Sequence, residues 1–288
     1  MRRCLALFLL AMSSSCSSSS SPSRSFLVTG ATEGLGLAAA KQLVKAGHTV
    51  LVHGRNAPKV DGVVRSLEAS GGRAVGYVAD LSSMAQVRQL GSEVAEAWPS
   101  LDGLLNNAGS FDGDYTGKRV VTDEGNEYTL AVNVLAPFLL TSLLLPSLRA
   151  SGSGRVVISS SVSMGEAGSL GDLQLESGYS GHRAYSLSKL CDAMMALEMH
   201  ARYGAAPRLV FNTMDPGTVD TKMLNAGWGS GAPVSTATRT YEMLTRPEWG
   251  ERSGVCTCGT DREVNDPELR RKLWDDLVAL TGAEWPDA

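Results

Sequence analysis

The chain has 288 residues, 26 basic and 30 acidic side chains, a net charge of −4 and 43% hydrophobic residues. These values describe a soluble globular protein and exclude a disordered or fibrous one. With no basic run beyond short pairs such as Arg270-Arg271, they also give no electrostatic footprint for nucleic acid.

Residues 1–24 combine an Arg2-Arg3 start, an apolar stretch from Cys4 to Met12 and a serine-rich tract, with no acid before Glu33. This reads as a leader, addressed to the secretory pathway and endoplasmic reticulum or to a plastid. Serine-rich disorder after a mistaken start is the plain alternative. The apolar stretch falls far short of the roughly 20 residues that span a bilayer, so no spanning helix is expected there. Association with a membrane surface and self-association stay open.

Residues 25–288 then form one domain. "FLVTG", a helix near 35–46, "TVLVHG", a helix near 58–69, "RAVGYVA" and a helix near 82–97 alternate short apolar runs with amphipathic stretches. The series continues through "LDGLLNNAG", a helix over 124–149, "GRVVISSS", a helix carrying "HRAYSLSKLCDAM", and "RLVFNTMDPG". This is the pattern of an α/β fold: a single doubly wound parallel sheet of Rossmann type with helices on both faces. "DPELRRKLWDDLVALTG" reads as a last amphipathic helix with Leu269, Leu273, Leu277 and Leu280 inward. Cys256-Thr-Cys258 has strand spacing, and no second Cys or His pair stands at ligand distance, so no metal site is expected. His48, His53, His182 and His200 are scattered and suit surface or packing roles.

The first strand-to-helix turn holds Gly30, Thr32, Gly34, Leu35 and Gly36. Glycines there let backbone N–H groups approach a pyrophosphate at a helix N-terminus, where the dipole favours the anion. The second strand ends in Arg55, with Lys59 nearby, where an acid would select NAD. Arginine suits the 2′-phosphate of NADP, while Glu33 adds an opposing charge. Tyr185 and Lys189 lie four apart on one helical face, where an ammonium would favour the ionised phenol and ready Tyr185 for acid or base work near neutral pH.

In this order, Thr29-Gly30-x-x-x-Gly34-x-Gly36, Asp80-Leu81, Asn106-Asn107-Ala108-Gly109, Asn133, Ser161, Tyr185-x-x-x-Lys189 and Pro216-Gly217-x-x-x-Thr221 resemble the short-chain dehydrogenase/reductase family. Within it, the chain is similar to the retinol dehydrogenase-like branch. The resemblance covers about Phe26 to Thr221. It implies an NADP(H)-dependent oxidoreductase acting on a small-molecule alcohol or carbonyl. By the same resemblance Asp80 contacts adenine, Asn107, Ala108 and Gly109 line the cofactor groove, Val219 and Thr221 hold the nicotinamide carboxamide, and Leu81, Pro216 and Gly217 also bind the cofactor. Lys189 takes the ribose hydroxyls. Asn133, Ser161, Tyr185 and Lys189 form the catalytic relay, in which Asn133 anchors a water that links Lys189 to solvent. Asp215 departs from the histidine frequent in that branch. Leu224, Trp228 and the methionines point to an apolar substrate of retinol, steroid or lipid type. A sugar-nucleotide epimerase or dehydratase and a cofactor-sensing protein without catalysis are the alternatives.

Overall fold

A computed structural model describes residues 23–111, 117–166, 170–204, 209–259 and 262–286. The expected leader therefore lies outside the described residues up to position 22. The strands are β1 (Ser25–Val28), β2 (Thr49–Gly54), β3 (Arg73–Val78), β4 (Gly103–Asn106), β5 (Arg155–Ser159), β6 (Val210–Met214) and β7 (Val255–Thr257). They form one sheet in the order β3-β2-β1-β4-β5-β6-β7, and every neighbouring pair is parallel. Strands covered on both faces have no reason to alternate in polarity, so β1 and β2 read as nearly continuous apolar runs.

Two cores flank the sheet. On one face Ala39, Leu43, Val60 and Leu67, from helices α1 (Gly34–Lys45) and α2 (Ala57–Ala69), pack with Met243 and Leu244. On the other, α3 (Met84–Ala97) and the helices Tyr128–Ala150 and Gly181–Tyr203 bury Leu90, Val94, Phe138, Leu144, Leu190 and Met194. Asn56 accepts from the Lys59 N–H to start α2, and Ser180 accepts from the Arg183 N–H to start Gly181–Tyr203.

The helix expected from about 124 begins at Tyr128 instead, because two acids upstream are occupied otherwise. Glu127 caps it, accepting from the N–H groups of Thr129 and Leu130 at 3.0 and 2.7 Å. Glu124 accepts from Met84 and Ala85, the first N–H groups of α3. Tyr128–Ala150 is also long and apolar enough to cross a membrane, yet 89% of that apolar window is buried inside the fold, as in a core helix. In the last helix, Pro267–Thr281, the inward set is Leu273, Trp274, Leu277 and Thr281. Leu269 is only partly buried and Leu280 is exposed. The three-residue step from Leu277 to Leu280 turns back by about 60°, to the side of Leu269, while Thr281, one four-residue step beyond Leu277, stays on the core.

Candidate active site

All the parallel strands deliver their carboxyl ends to one rim, and the turn after β1 is the tightest feature there. Gly30 and Gly34 have φ of +65° and +55°, which a side chain would strain. A Cβ on Gly36 would lie 2.3 Å from the Gly30 carbonyl oxygen, and one on Gly30 would lie 2.9 Å from Ala108 Cα. The turn is thus pressed against the end of β4. The Thr29 hydroxyl accepts from the N–H groups of Asn107 and Ala108, both at 3.0 Å, and the Asn107 amide donates to the Thr29 carbonyl. From β2, the fully buried His53 accepts the Gly30 N–H on Nδ1 and donates from Nε2 to the Ala79 carbonyl. Burial pushes this imidazole down to about 4, so it stays neutral.

Above the turn opens a cavity of about 460 Å³. Of the residues singled out in the sequence, Gly30, Thr32, Gly34, Leu35, Arg55, Asp80, Leu81, Asn107, Ala108, Gly109 and Thr221 line it. Gly36, Pro216, Gly217 and Val219 do not: Gly36 serves the close packing beneath, and Val219 is buried in a bridge to Ala232. Asp80 has one carboxylate oxygen engaged by the Ser82 N–H and hydroxyl. The opposing charge of Glu33 is met by Lys222 at 2.8 Å and Lys59 at 3.4 Å, and the Lys222 hydrogen bond holds its carboxyl below the usual range. Arg55 is exposed and donates to the Tyr128 hydroxyl at 2.9 Å. A glycine cradle, a helix N-terminus and cations at the rim fit a dinucleotide with its phosphates.

The residues expected to move the proton lie beyond this cavity. Tyr185 and Lys189 are 8% and 5% exposed on the Gly181–Tyr203 helix, with the ammonium 5.5 Å from the phenol ring centre. The Ser161 hydroxyl, just past β5, hydrogen-bonds the Tyr185 phenol, whereas Ser160 is buried and donates to the Lys189 carbonyl at 2.7 Å. Lys189 donates to the Ser159 carbonyl at 2.8 Å and to the Asp192 carboxylate at 2.7 Å.

One expectation changes here. Burial outweighs the ammonium, so the Tyr185 phenol lies above its ordinary value, not near neutrality. Asn133 sits in a π-helical turn, Ala131–Leu135, and spends its amide on Ser110 and Ser188: the oxygen accepts the Ser110 N–H at 2.7 Å, and the nitrogen donates to the Ser110 carbonyl and the Ser188 hydroxyl. Its direct partners are these serines.

The sequence reading missed Phe111 and His182, which join Tyr185 and Trp228 in an aromatic cluster. Trp228 lies 4.5 Å from Phe111 and 5.2 Å from both His182 and Tyr185 between ring centres. The aromatic character of these residues is visible in sequence, but their convergence is not. Lys222 and Tyr128 at the cavity rim were missed for the same reason, as was Asp192.

The sequence profile of the short chain dehydrogenase family matches residues 24–228. The chain belongs to this family. Polyprenol dehydrogenase of Mus musculus is 36% identical over 93% of this chain and 86% of its own length. Retinol dehydrogenase 14 of Mus musculus is 33% identical over 90% and 86%. The chain thus falls in the retinol dehydrogenase-like branch. A blue fluorescent protein from a metagenomic library, solved in complex with NADPH, superposes with a TM-score of 0.65 at 26% identity, covering 81% of this chain and 95% of that one. As a short-chain dehydrogenase the protein is an oxidoreductase acting between alcohol and carbonyl with a nicotinamide cofactor.

Proposed function

We propose that this short-chain dehydrogenase uses NADP(H) to interconvert an alcohol and a carbonyl on an apolar small molecule. The observation that carries the reading is the Tyr185 phenol, buried beneath an aromatic cluster and hydrogen-bonded to Ser161, a short way along the rim from the glycine cradle. Gly30, Thr32, Gly34, Leu35 and Gly36 would seat the pyrophosphate. Arg55, with Lys59 and Lys222 beside it, would meet the 2′-phosphate, and this cationic rim favours NADP over NAD. Asp80, Leu81, Asn107, Ala108 and Gly109 would flank the adenosine half, and Pro216, Gly217, Val219 and Thr221 the carboxamide end.

When bound, the reduced nicotinamide supplies a hydride to the carbonyl carbon. The chain's own work is at the oxygen. Tyr185 gives its phenolic proton to the oxygen as negative charge grows there. Ser161 donates a hydrogen bond to the same oxygen and stabilises that charge. Lys189, charged and fixed beneath the ring, limits the cost of the phenolate that remains. In the reverse direction the phenolate takes the alcohol proton. Phe111, His182 and Trp228, with Leu224 close by, give the reacting end of the substrate an aromatic, largely apolar wall and support the apolar class.

The test is NADPH oxidation against a panel of retinoid, polyprenoid, steroid and aryl carbonyls, run in parallel with NADH. Turnover with NADPH on apolar members supports the reading. Turnover only with sugar nucleotides, or tight NADPH binding without turnover on any carbonyl, would refute it.

A further inference from the structure

The Gly181–Tyr203 helix carries a carboxylate that the proton relay does not need. Asp192 is 1% exposed and follows Lys189 by three residues, with one oxygen 2.7 Å from the ammonium. Its other oxygen is buried with no hydrogen-bond partner. Such a group is expensive to bury, and a half-satisfied carboxylate this deep needs its cation. The ammonium has three N–H donors. Asp192 and the Ser159 carbonyl take two of them and tether the lysine to the sheet side of its own helix.

This tether has an electrostatic consequence for the phenol. Alone, a buried ammonium near Tyr185 would draw it toward the phenolate. Paired with Lys189 at contact distance, the Asp192 carboxylate opposes the phenolate and offsets part of that pull. The other charged or titratable groups facing the pair and the phenol are Asp215 after β6, which opposes the phenolate, Cys258 after β7, which faces Lys189, and the buried thiol of Cys191 beside Asp192. From the β5 side come the Ser161 hydroxyl on the phenol and the Ser159 carbonyl on the ammonium.

We propose that Asp192 is a positioning residue that tethers Lys189 and offsets part of its pull on Tyr185, so that the phenol titrates higher than the lysine would otherwise set it. Resting on the assignment of Tyr185 as proton donor, this predicts that carbonyl reduction keeps its full rate through neutral pH. Alcohol oxidation, which needs the phenolate, rises only in alkaline solution. The equilibrium between alcohol and carbonyl is untouched; only the pH dependence of the two rates is displaced. Burial pushes the Asp192 carboxyl up to about 7, so it is charged wherever Tyr185 titrates.

The test needs neither cofactor nor substrate. Tyrosinate absorbance is followed against pH in the unaltered protein and in Asp192→Asn, each with and without Tyr185→Phe, so that the difference curve isolates Tyr185. Asparagine keeps an acceptor for the lysine but no charge, and the Tyr185 midpoint should fall by about one pH unit. The pH profiles of reduction and oxidation should move with it. An unmoved midpoint in a folded Asp192→Asn protein overturns the proposal, as does a loss of folded protein's activity with both pH profiles in place. If Asp192→Asn does not fold, Asp192→Ser takes its place in the same difference titration, and an unmoved Tyr185 midpoint there overturns the proposal. A midpoint that moves in a protein turning over no carbonyl would refute the assigned reaction and leave the role of Asp192 standing.

Discussion

Acidification should weaken the glycine turn through His53, and the structure sets the size of the effect. The imidazole is 2% exposed, accepts the Gly30 N–H on Nδ1 and donates to Ala79 from Nε2. Protonating Nδ1 would break the first bond and place a charge in the core. The folded value is therefore depressed to about 4, against 6.5 in the unfolded chain. A group depressed in this way contributes stability that is complete above 6.5 and is lost as pH falls toward 4, since the unfolded state then binds the extra proton. At about 1.36 kcal/mol per pH unit, the gap amounts to about 3 kcal/mol, a large part of a typical folding free energy. Asp192, whose carboxyl is raised, acts in the opposite sense over much of the same interval, so the raw stability curve is not the readout. The readout is the difference between the unaltered protein and His53→Gln, which stays neutral throughout and leaves the Asp192 contribution common to both. Urea unfolding at a series of pH values should show the variant gaining on the unaltered protein by about 3 kcal/mol between pH 6.5 and 4. A difference that stays flat would refute the assignment of a neutral His53 holding the turn.

Tyr185→Phe should leave NADPH binding intact and lower kcat about a hundred- to ten-thousandfold, whereas Tyr179→Phe should change it little, because its four-residue partner Arg183 is spent on the carbonyls of Ser177 and Gly178; steady-state NADPH oxidation and a fluorescence titration separate the two. Arg55→Asp should cost on the order of 1.5 to 3 kcal/mol of NADPH affinity and narrow or reverse the preference over NADH, measured as the ratio of their dissociation constants. Deleting residues 2–22 should leave a folded, NADPH-binding domain, because Arg24 and Ser25 are already anchored to Thr245 and Asp102; loss of cooperative unfolding in that chain would refute it.

The strand order and the glycine turn were legible because a parallel sheet buried on both faces writes its strands as apolar runs, and because few residues other than glycine tolerate the φ of positions 30 and 34. The family resemblance pointed to Ser161, and in the structure the Ser161 hydroxyl meets the phenol while Ser160 is buried against the Lys189 carbonyl. The ionisation of Tyr185 was not. Four-residue spacing reports that the ammonium is near, but not that the ring is desolvated or that Asp192 answers the charge. Asp192 itself read as one more polar residue on a long helix, since i to i+3 pairs are ordinary on exposed surfaces and only burial makes this one unusual. Likewise the partners of Asn133 depend on a π-helical turn, which leaves no periodicity mark in five residues.

The all-parallel sheet also governs when the protein becomes competent. No two neighbouring strands are joined by a hairpin, and the first strand made, β1, lies between β2 and β4. Each pairing must wait for a crossover segment to be made and packed, which places such sheets among the slower and more trap-prone topologies. Gly30 and Thr221, which line one cavity, stand at nearly opposite ends of that assembly. A ribosome-bound chain that has completed β5 would still lack the β6 partner beside it, and with it the loop that closes the site. Recovery of cofactor binding after dilution from denaturant should therefore be the last signal to return, trailing helix content and tryptophan burial.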